Sequence, residues 1–215
     1  VLIRRGRILV ENVPAPQVEP GTVLVAVDHS CISAGTELGG IRFGAMPLWK
    51  RALAQPDHVK KVFNMLRKDG ISNTKSRIES AVDTEKPAGY SLAGTVLEVG
   101  DGIRDIRPGE AVACAGAQCA HHAEIVRVPR NLVVPLPAGL GFAEASTVTL
   151  GAIAMQGVRR LQPTLGECFV VIGLGILGQL AAQLAKANGC RVIGADLDRD
   201  RVRLACSLGM DMGLD

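Results

Sequence analysis

The chain has 215 residues, of which 47% are hydrophobic, 21% charged and 3% aromatic, with a mean hydropathy of +0.24. That length allows one large domain or two small ones at roughly 100–200 residues each, and the apolar content excludes wholesale disorder. A net charge of +3 and a pI near 8.6 do not signal nucleic acid, so few aromatics argue against a base-stacking surface, and no apolar run nears the ~18 residues that span a bilayer.

The first forty residues read as β. ILVENV and TVLVAVDHS are rich in Val, Ile and Leu and flank the Pro-rich turn PAPQVEPG. After Thr36–Gly40 the pattern changes, and MPLWKRALAQ, DHVKKVFNMLRKDG and SNTKSRIESAV are expected as short helices. In the middle one, Val59, Val62, Phe63 and Leu66 share a face. Asp57 suits its N-cap and Gly70 its stop. The charge gathers here too: Met46 to Arg77 holds eight Lys/Arg against two acids, so this segment is +6 and the remainder −3.

From Gly89 the β pattern returns. SLAGTVLEVG, EAVACAG, HAEIVRVP and NLVVPLP are predicted strands of a β domain, separated by Gly and Pro signals. Phe142 to Arg160 is Ala-rich and reads as a helical connector. FVVIG then suits a strand buried on both faces, followed by the helix ILGQLAAQLAKAN, a second strand RVIGAD and a second helix DRDRVRLACSLG. This is the βαβ pattern of a parallel sheet. The expected domains are therefore 1–140, with a helical insertion over about 41–86, and 141–215.

Cys31, Cys114, Cys119, Cys168, Cys190 and Cys206 accompany no signal-peptide pattern. They are read as reduced, buried thiols of a cytoplasmic protein.

VIGLGILG carries G-x-G-x-x-G as Gly173, Gly175 and Gly178. It ends a predicted strand and opens a predicted helix, the context in which this motif binds dinucleotides. Gly173 turns the chain, Gly175 lets backbone N–H groups approach a pyrophosphate, and Gly178 lets helix and strand pack closely. The helix N-terminus offers free donors and the positive dipole end. Asp196 closes RVIGAD, 18 residues after Gly178, where a carboxylate accepts ribose hydroxyls and repels the extra phosphate of NADP. Leu197 and Asp198 follow rather than Arg, so NAD is expected over NADP. The expected cofactor contacts are Gly173, Leu174, Gly175, Ile176, Leu177, Gly178, Asp196 and Arg201.

The order of these motifs resembles the medium-chain dehydrogenase/reductase family, which includes alcohol dehydrogenases and quinone reductases. VPAPQVEPGTVLVAV, CISAGTEL, GYSLAGTVLEVGDGI, RPGEAVACAG, HAEIVRVPRNLVVPLPAGLGFAEAS and TLGAIAMQGV precede the dinucleotide motif in family order. The resemblance implies a GroES-like β-barrel catalytic domain with a helical insertion, then a Rossmann domain with a doubly wound parallel sheet. It also implies NAD(P)-dependent hydride transfer. The family's zinc ligands are missing. Ala34 stands at the first Cys position, Tyr90-Ser91 replace His-Glu, and Thr149 lies near the third. CAGAQCAHH stands where the structural-zinc lobe belongs. No metal site is therefore expected, and the resemblance leaves Thr36 and Tyr90 as candidate proton-handling hydroxyls. A rival is a displaced metal site from Cys31, Cys114, Cys119, His121 and His122, although Cys-x4-Cys-x-His is not a standard zinc spacing.

Ala34 and Tyr90 lie 56 positions apart, much further than in zinc alcohol dehydrogenases. The extra residues are the basic segment, whose charge suits an anionic small-molecule substrate. The insertion, GTEL and GYSLAG further resemble the dehydrogenase half of bi-domain, threonine-dehydrogenase-like oxidoreductases, which suggests a sugar, polyol or nucleotide-sugar substrate. Two alternatives stand beside this: an enone or quinone reductase, and a catalytically inactive dinucleotide-binding module of a larger protein. A homodimer is consistent with the resemblance. Only 42 residues follow Gly173, against about six strands in a dinucleotide domain, so a truncated Rossmann domain continuing beyond Asp215 is expected.

Overall fold

A computed structural model describes residues 1–4, 6–47, 50 and 86–215. They form two units, Val1–Ser146 and Thr147–Asp215. The helices expected at 57–70 and 72–82, most of that at 46–55, and the lysines at 60 and 61 lie outside the described residues.

The first unit is built on a five-stranded antiparallel sheet. Its strands are β3 (Thr22–Ser30), β5 (Ser91–Val99), β6 (Ala111–Ala115), β7 (Ile125–Pro129) and β8 (Val133–Pro135), in the order β7-β3-β5-β6-β8. β-Branched residues favour this pleated, half-buried surface. In β3 and β7 burial alternates, so that Val23, Val25, Val126 and Val128 are wholly buried with Leu92, Val112 and Cys114. Each such Val or Leu contributes roughly 1.5–3 kcal/mol. Gly94 permits the closest approach in the sheet, because a Cβ there would lie 2.0 Å from the Ala26 carbonyl oxygen.

A smaller antiparallel sheet joins β1 (Leu2–Arg4), β2 (Arg7–Leu9) and β4 (Lys86–Pro87) in the order β2-β1-β4. The expected strand ILVENV is thus corrected. Only its first two residues fall in β2, while Val10 and Val13 are exposed and outside any strand. The helix after β3 also starts earlier than expected: α1 spans Ala34–Ala45 and takes in Thr36. Ser33 explains the start, since its backbone N–H donates to Glu37 Oε1 at 2.9 Å and its carbonyl accepts the Glu37 N–H at 2.9 Å. This resembles a capping box displaced by one residue.

α2 (Phe142–Ala145) closes the first unit, and α3 (Val148–Leu161) opens the second. There β9 (Cys168–Ile172), α4 (Ile176–Ala187), β10 (Arg191–Ala195), α5 (Arg199–Ser207) and β11 (Met212–Leu214) make a parallel sheet in the order β11-β10-β9. Ala182, Ala185, Val202 and Ala205 pack with Val171 and Val192. Small residues there let helix and sheet approach closely. β9 corrects the expectation of burial on both faces. Val171 is buried, but Val170 is 59% and Ile172 88% exposed, because successive side chains point to opposite faces and the described residues leave one of these faces uncovered. Cys168 and Cys206 are exposed for their part, whereas Cys114 and Cys190 are buried.

Asp198 caps α5 by accepting the Asp200 N–H at 3.0 Å. Asp198→Ala should cost about 1 kcal/mol of stability. Thermal melts check this, and an unchanged melting temperature would show that the cap is dispensable. Among the described residues no helix is long and apolar enough to cross a membrane.

Candidate functional site

The turn between β9 and α4 gathers the glycines. Gly173 has φ +89°, a left-handed conformation that glycine adopts without steric cost. Its N–H donates to the Ala195 carbonyl at 2.8 Å, which ties the turn to the end of β10. Gly178 lies on the first turn of α4, where a Cβ would fall 1.9 Å from the Gly173 carbonyl oxygen. At Gly175 a Cβ would meet nothing within 4 Å, and no side chain caps the helix. The first N–H groups of a helix have no partner within it, and at α4 no side chain supplies one through the cap.

Asp196 stands at the end of β10 with its side chain 11% exposed. Its Oδ2 accepts the Leu174 N–H at 2.6 Å and its Oδ1 the Asp198 N–H at 2.9 Å. These bonds, that from Asp198 first, hold its carboxyl below the usual Asp range. A carboxylate has about four acceptor positions, so these two backbone bonds do not exhaust it. Arg201 Nη1 lies 3.7 Å from Asp196 and its Nε 3.4 Å from Asp198. Gly173, Asp196, Leu197, Asp198, Arg201 and Leu214 line a cavity of about 670 Å³, within the size range of small-ligand sites. A dinucleotide fits these residues: the glycine turn at the start of α4 suits its pyrophosphate, and the Asp196 carboxylate at the cavity wall suits ribose hydroxyls.

Of the eight residues expected around the cofactor, Gly173, Asp196 and Arg201 line this cavity, Leu174 is bonded to Asp196, and Gly178 packs against Gly173. Leu197 and Asp198 line the same cavity and were not singled out by the sequence. For Asp198 a signal existed, since an acid directly before a helical run is an N-cap pattern.

Thr36 and Tyr90 belong to the first unit. Thr36 is exposed on the first turn of α1, where its hydroxyl receives that of Ser33 at 3.3 Å. Tyr90 is half-buried just before β5, and its carbonyl accepts the Gly116 N–H at 2.9 Å. His122, in the loop between β6 and β7, connects their two segments. Its Nε2 lies 3.3 Å from Glu37 Oε2, and its Nδ1 lies 2.8 Å from Ser30 Oγ. Its ring also sits 2.8 Å from where a Cβ of Gly89 would be.

The residues of the rival metal site do not converge. Burial first, and Cys119 second, push the Cys114 thiol up to about 12. Cys119 Sγ turns to the Ala115 and Gly116 carbonyls, His121 Nδ1 is buried without a hydrogen-bond partner, and His122 is engaged as above. Among the described residues, no group of three or more His, Cys, Asp or Glu is placed to hold a metal ion.

No protein-family profile matches the chain. It is 31% identical over 148 residues to the NADPH-dependent alkenal/one oxidoreductase, chloroplastic, of Arabidopsis thaliana, covering 63% of this chain and 38% of that protein. It is 32% identical over 128 residues to the D-guloside 3-dehydrogenase of Escherichia coli (strain K12), covering 59% and 36%. The chain therefore spans well under half the length of these two relatives. Among solved structures, the quinone oxidoreductase from Coxiella burnetii shares the fold with a TM-score of 0.70 at 20% identity, covering 99% of this chain and 59% of that one. These relatives and structural neighbours are alcohol dehydrogenases, enone reductases and quinone oxidoreductases of the medium-chain dehydrogenase/reductase type, and the chain is similar to them in sequence and in fold.

Proposed function

We propose that this chain belongs to an NAD-dependent, zinc-independent oxidoreductase that moves a hydride between nicotinamide and an alcohol or carbonyl. The observation that carries the reading is the Asp196 carboxylate, fixed by two backbone N–H groups at the rim of the Gly173–Gly178 turn. The bound dinucleotide would supply hydride donation and acceptance. The N–H groups at the start of α4 would hold its pyrophosphate, and Asp196 its adenine ribose. Asp196 and Asp198 present two carboxylates to the single Arg201 guanidinium, a balance that disfavours a further phosphate and supports NAD over NADP.

The first unit, in this proposal, is a GroES-like catalytic domain in which Thr36 and Tyr90 handle the proton. Zinc independence rests on the donor set, because Ala34, Tyr90 and Thr149 replace the N and S ligands that zinc takes. The likeness to D-guloside 3-dehydrogenase supports a sugar, polyol or nucleotide-sugar substrate. The basic run over 46–77 supports an anionic one. A second reading, an enone or quinone reductase, is favoured by the similarity to the alkenal/one oxidoreductase.

Calorimetry on the intact protein should show NAD binding at least about tenfold tighter than NADP, a gap of ~1.4 kcal/mol. Alcohol-dependent NAD reduction is expected, and Tyr90→Phe should slow it at least about tenfold. Enone-dependent NADH oxidation without alcohol oxidation would select the second reading. Binding of neither nucleotide would overturn both.

A further inference from the structure

We propose that Gln179 is a positioning residue of the nucleotide site: it holds the Arg201 main chain so that the guanidinium stays on Asp196 and Asp198, and thereby sets the preference for NAD over NADP. The inference rests on the dinucleotide reading above and adds to it a residue that selects the nucleotide without lining the cavity. Gln179 directly follows Gly178 in the first turn of α4. Its backbone N–H donates to the Gly175 carbonyl at 2.9 Å. Its half-buried side chain donates from Nε2 to the Leu174 carbonyl at 3.2 Å and to the Arg201 carbonyl at 2.9 Å. Both partners only accept, so the amide nitrogen and not its oxygen faces them. The oxygen, Oε1, is buried and has no hydrogen-bond partner among the described residues.

A buried acceptor without a partner costs stability, which an apolar side chain of the same length would avoid. What the amide adds over such a side chain is its pair of donors. These close a ring of four residues. The Leu174 N–H donates to Asp196 Oδ2 at 2.6 Å. Arg201 reaches Asp196 with Nη1 at 3.7 Å, and Asp198 beside it with Nε at 3.4 Å. Gln179 then ties Leu174 back to Arg201. Through this ring the glycine turn and the first turn of α5 are held at a fixed spacing.

The guanidinium is the weak member of the ring. The Arg201 side chain is 53% exposed, and ion pairs in solvent contribute little. Its two carboxylates alone therefore do not hold it, and the anchor on its carbonyl matters. Arg201 is also the one cation among the described residues that line the cavity. Held on Asp196 and Asp198, it offers no free charge to a 2′-phosphate. Released, it pairs readily with phosphate, because its planar fork matches phosphate oxygens. Losing the anchor also loosens the Leu174 N–H from Asp196, which weakens the grip on an unphosphorylated ribose. The Asp196 carboxyl reports on the ring directly, since the N–H groups of Asp198 first and Leu174 second hold it below the usual Asp range.

The test is calorimetry of NAD and NADP binding to the intact protein, comparing wild type with Gln179→Met, Arg201→Ala and the double variant. Met has about the length of Gln and neither donor. Gln179→Met should lower the NAD-to-NADP affinity ratio about tenfold, by weakening NAD and strengthening NADP. In the Arg201→Ala background the same change should leave the ratio where it is, because no guanidinium remains to be held. Equal weakening of both nucleotides, or an equal fall of the ratio in both backgrounds, shows that Gln179 only supports the fold and overturns the proposal. Carbon-detected NMR of the Asp196 carboxyl gives a readout without nucleotide. Gln179→Met should raise its titration toward the ordinary Asp range, and an unmoved titration overturns the ring whatever the nucleotides do. If Gln179→Met does not fold, Gln179→Asn takes its place with the same expectations, because its amide stops one methylene short of the two carbonyls. A wild type that binds neither nucleotide fails the parent reading, and the selectivity role falls with it. A wild type that prefers NAD beside a Gln179→Met variant that keeps the preference sinks the role of Gln179 alone.

Discussion

Gly178→Ala should weaken NAD binding and lower the melting temperature, whereas Gly175→Ala should weaken binding alone. The two glycines sit three residues apart, yet their surroundings differ. A methyl on Gly178 would fall 1.9 Å from the Gly173 carbonyl oxygen, 2.9 Å from its carbon and 3.4 Å from Val171 Cγ1. The first two are backbone atoms in a turn that Gly173 holds at φ +89°, so no side-chain rotation relieves the clash. The helix must move off the turn and loosen the packing around Val171, Leu174 and Ala182. Overpacking of this kind costs about 1–3 kcal/mol. A methyl on Gly175 meets nothing and should leave stability unchanged. It would occupy the space through which the α4 N–H groups reach a pyrophosphate, and NAD affinity should fall at least about tenfold. Melts and calorimetry on the two variants separate the effects. Undiminished NAD binding by Gly175→Ala would remove the turn from the site.

Asp196→Asn should lower kcat/KM for NAD by about 10–100-fold and shift preference toward NADP. The substitution conserves shape but replaces one acceptor oxygen by an NH2 group. Both native oxygens accept a backbone N–H, from Leu174 and from Asp198, so one of these donors must then face another donor. A buried donor left unpaired costs about 1–3 kcal/mol, and the charge that repels a 2′-phosphate is lost as well. Steady-state kinetics with both nucleotides check this, and an unchanged NAD-to-NADP ratio would show that Asp196 does not read the ribose. The wild-type carboxyl also predicts an acid sensitivity. Its pKa is depressed in the fold, so its stabilisation is fully present above the ordinary Asp value of about 3.9. It is lost as pH falls through the lower folded value. Asp196→Asn should lack this part of the acid-induced fall in melting temperature.

The dinucleotide turn was legible because every part of it is local. Gly173, Gly175, Gly178 and Asp196 lie within one strand–helix–strand, and each glycine meets a demand of the turn itself. TVLVAVDHS was legible as β3 because β-branched alternation acts residue by residue. ILVENV misled for the same reason, since its composition suits a strand but the second half pairs with nothing. The Ser30–His122–Glu37 chain had no such signal. Its partners are 92 and 85 residues apart, and in the sequence His122 was one more residue in a cluster of Cys and His.

The sequence by itself therefore determined the alternation of strand and helix from β9 to α5 and the glycine turn with its carboxylate, because periodicity and conformational freedom are properties of neighbouring residues. Only the tertiary structure decided that β9 leaves Val170 and Ile172 on an uncovered face, and that β3, α1 and the loop after β6 deliver three polar side chains to one place. The second outcome depends on the sheet order β7-β3-β5-β6-β8, which is set by long-range strand pairing and burial of the shared core, and no local pattern encodes it.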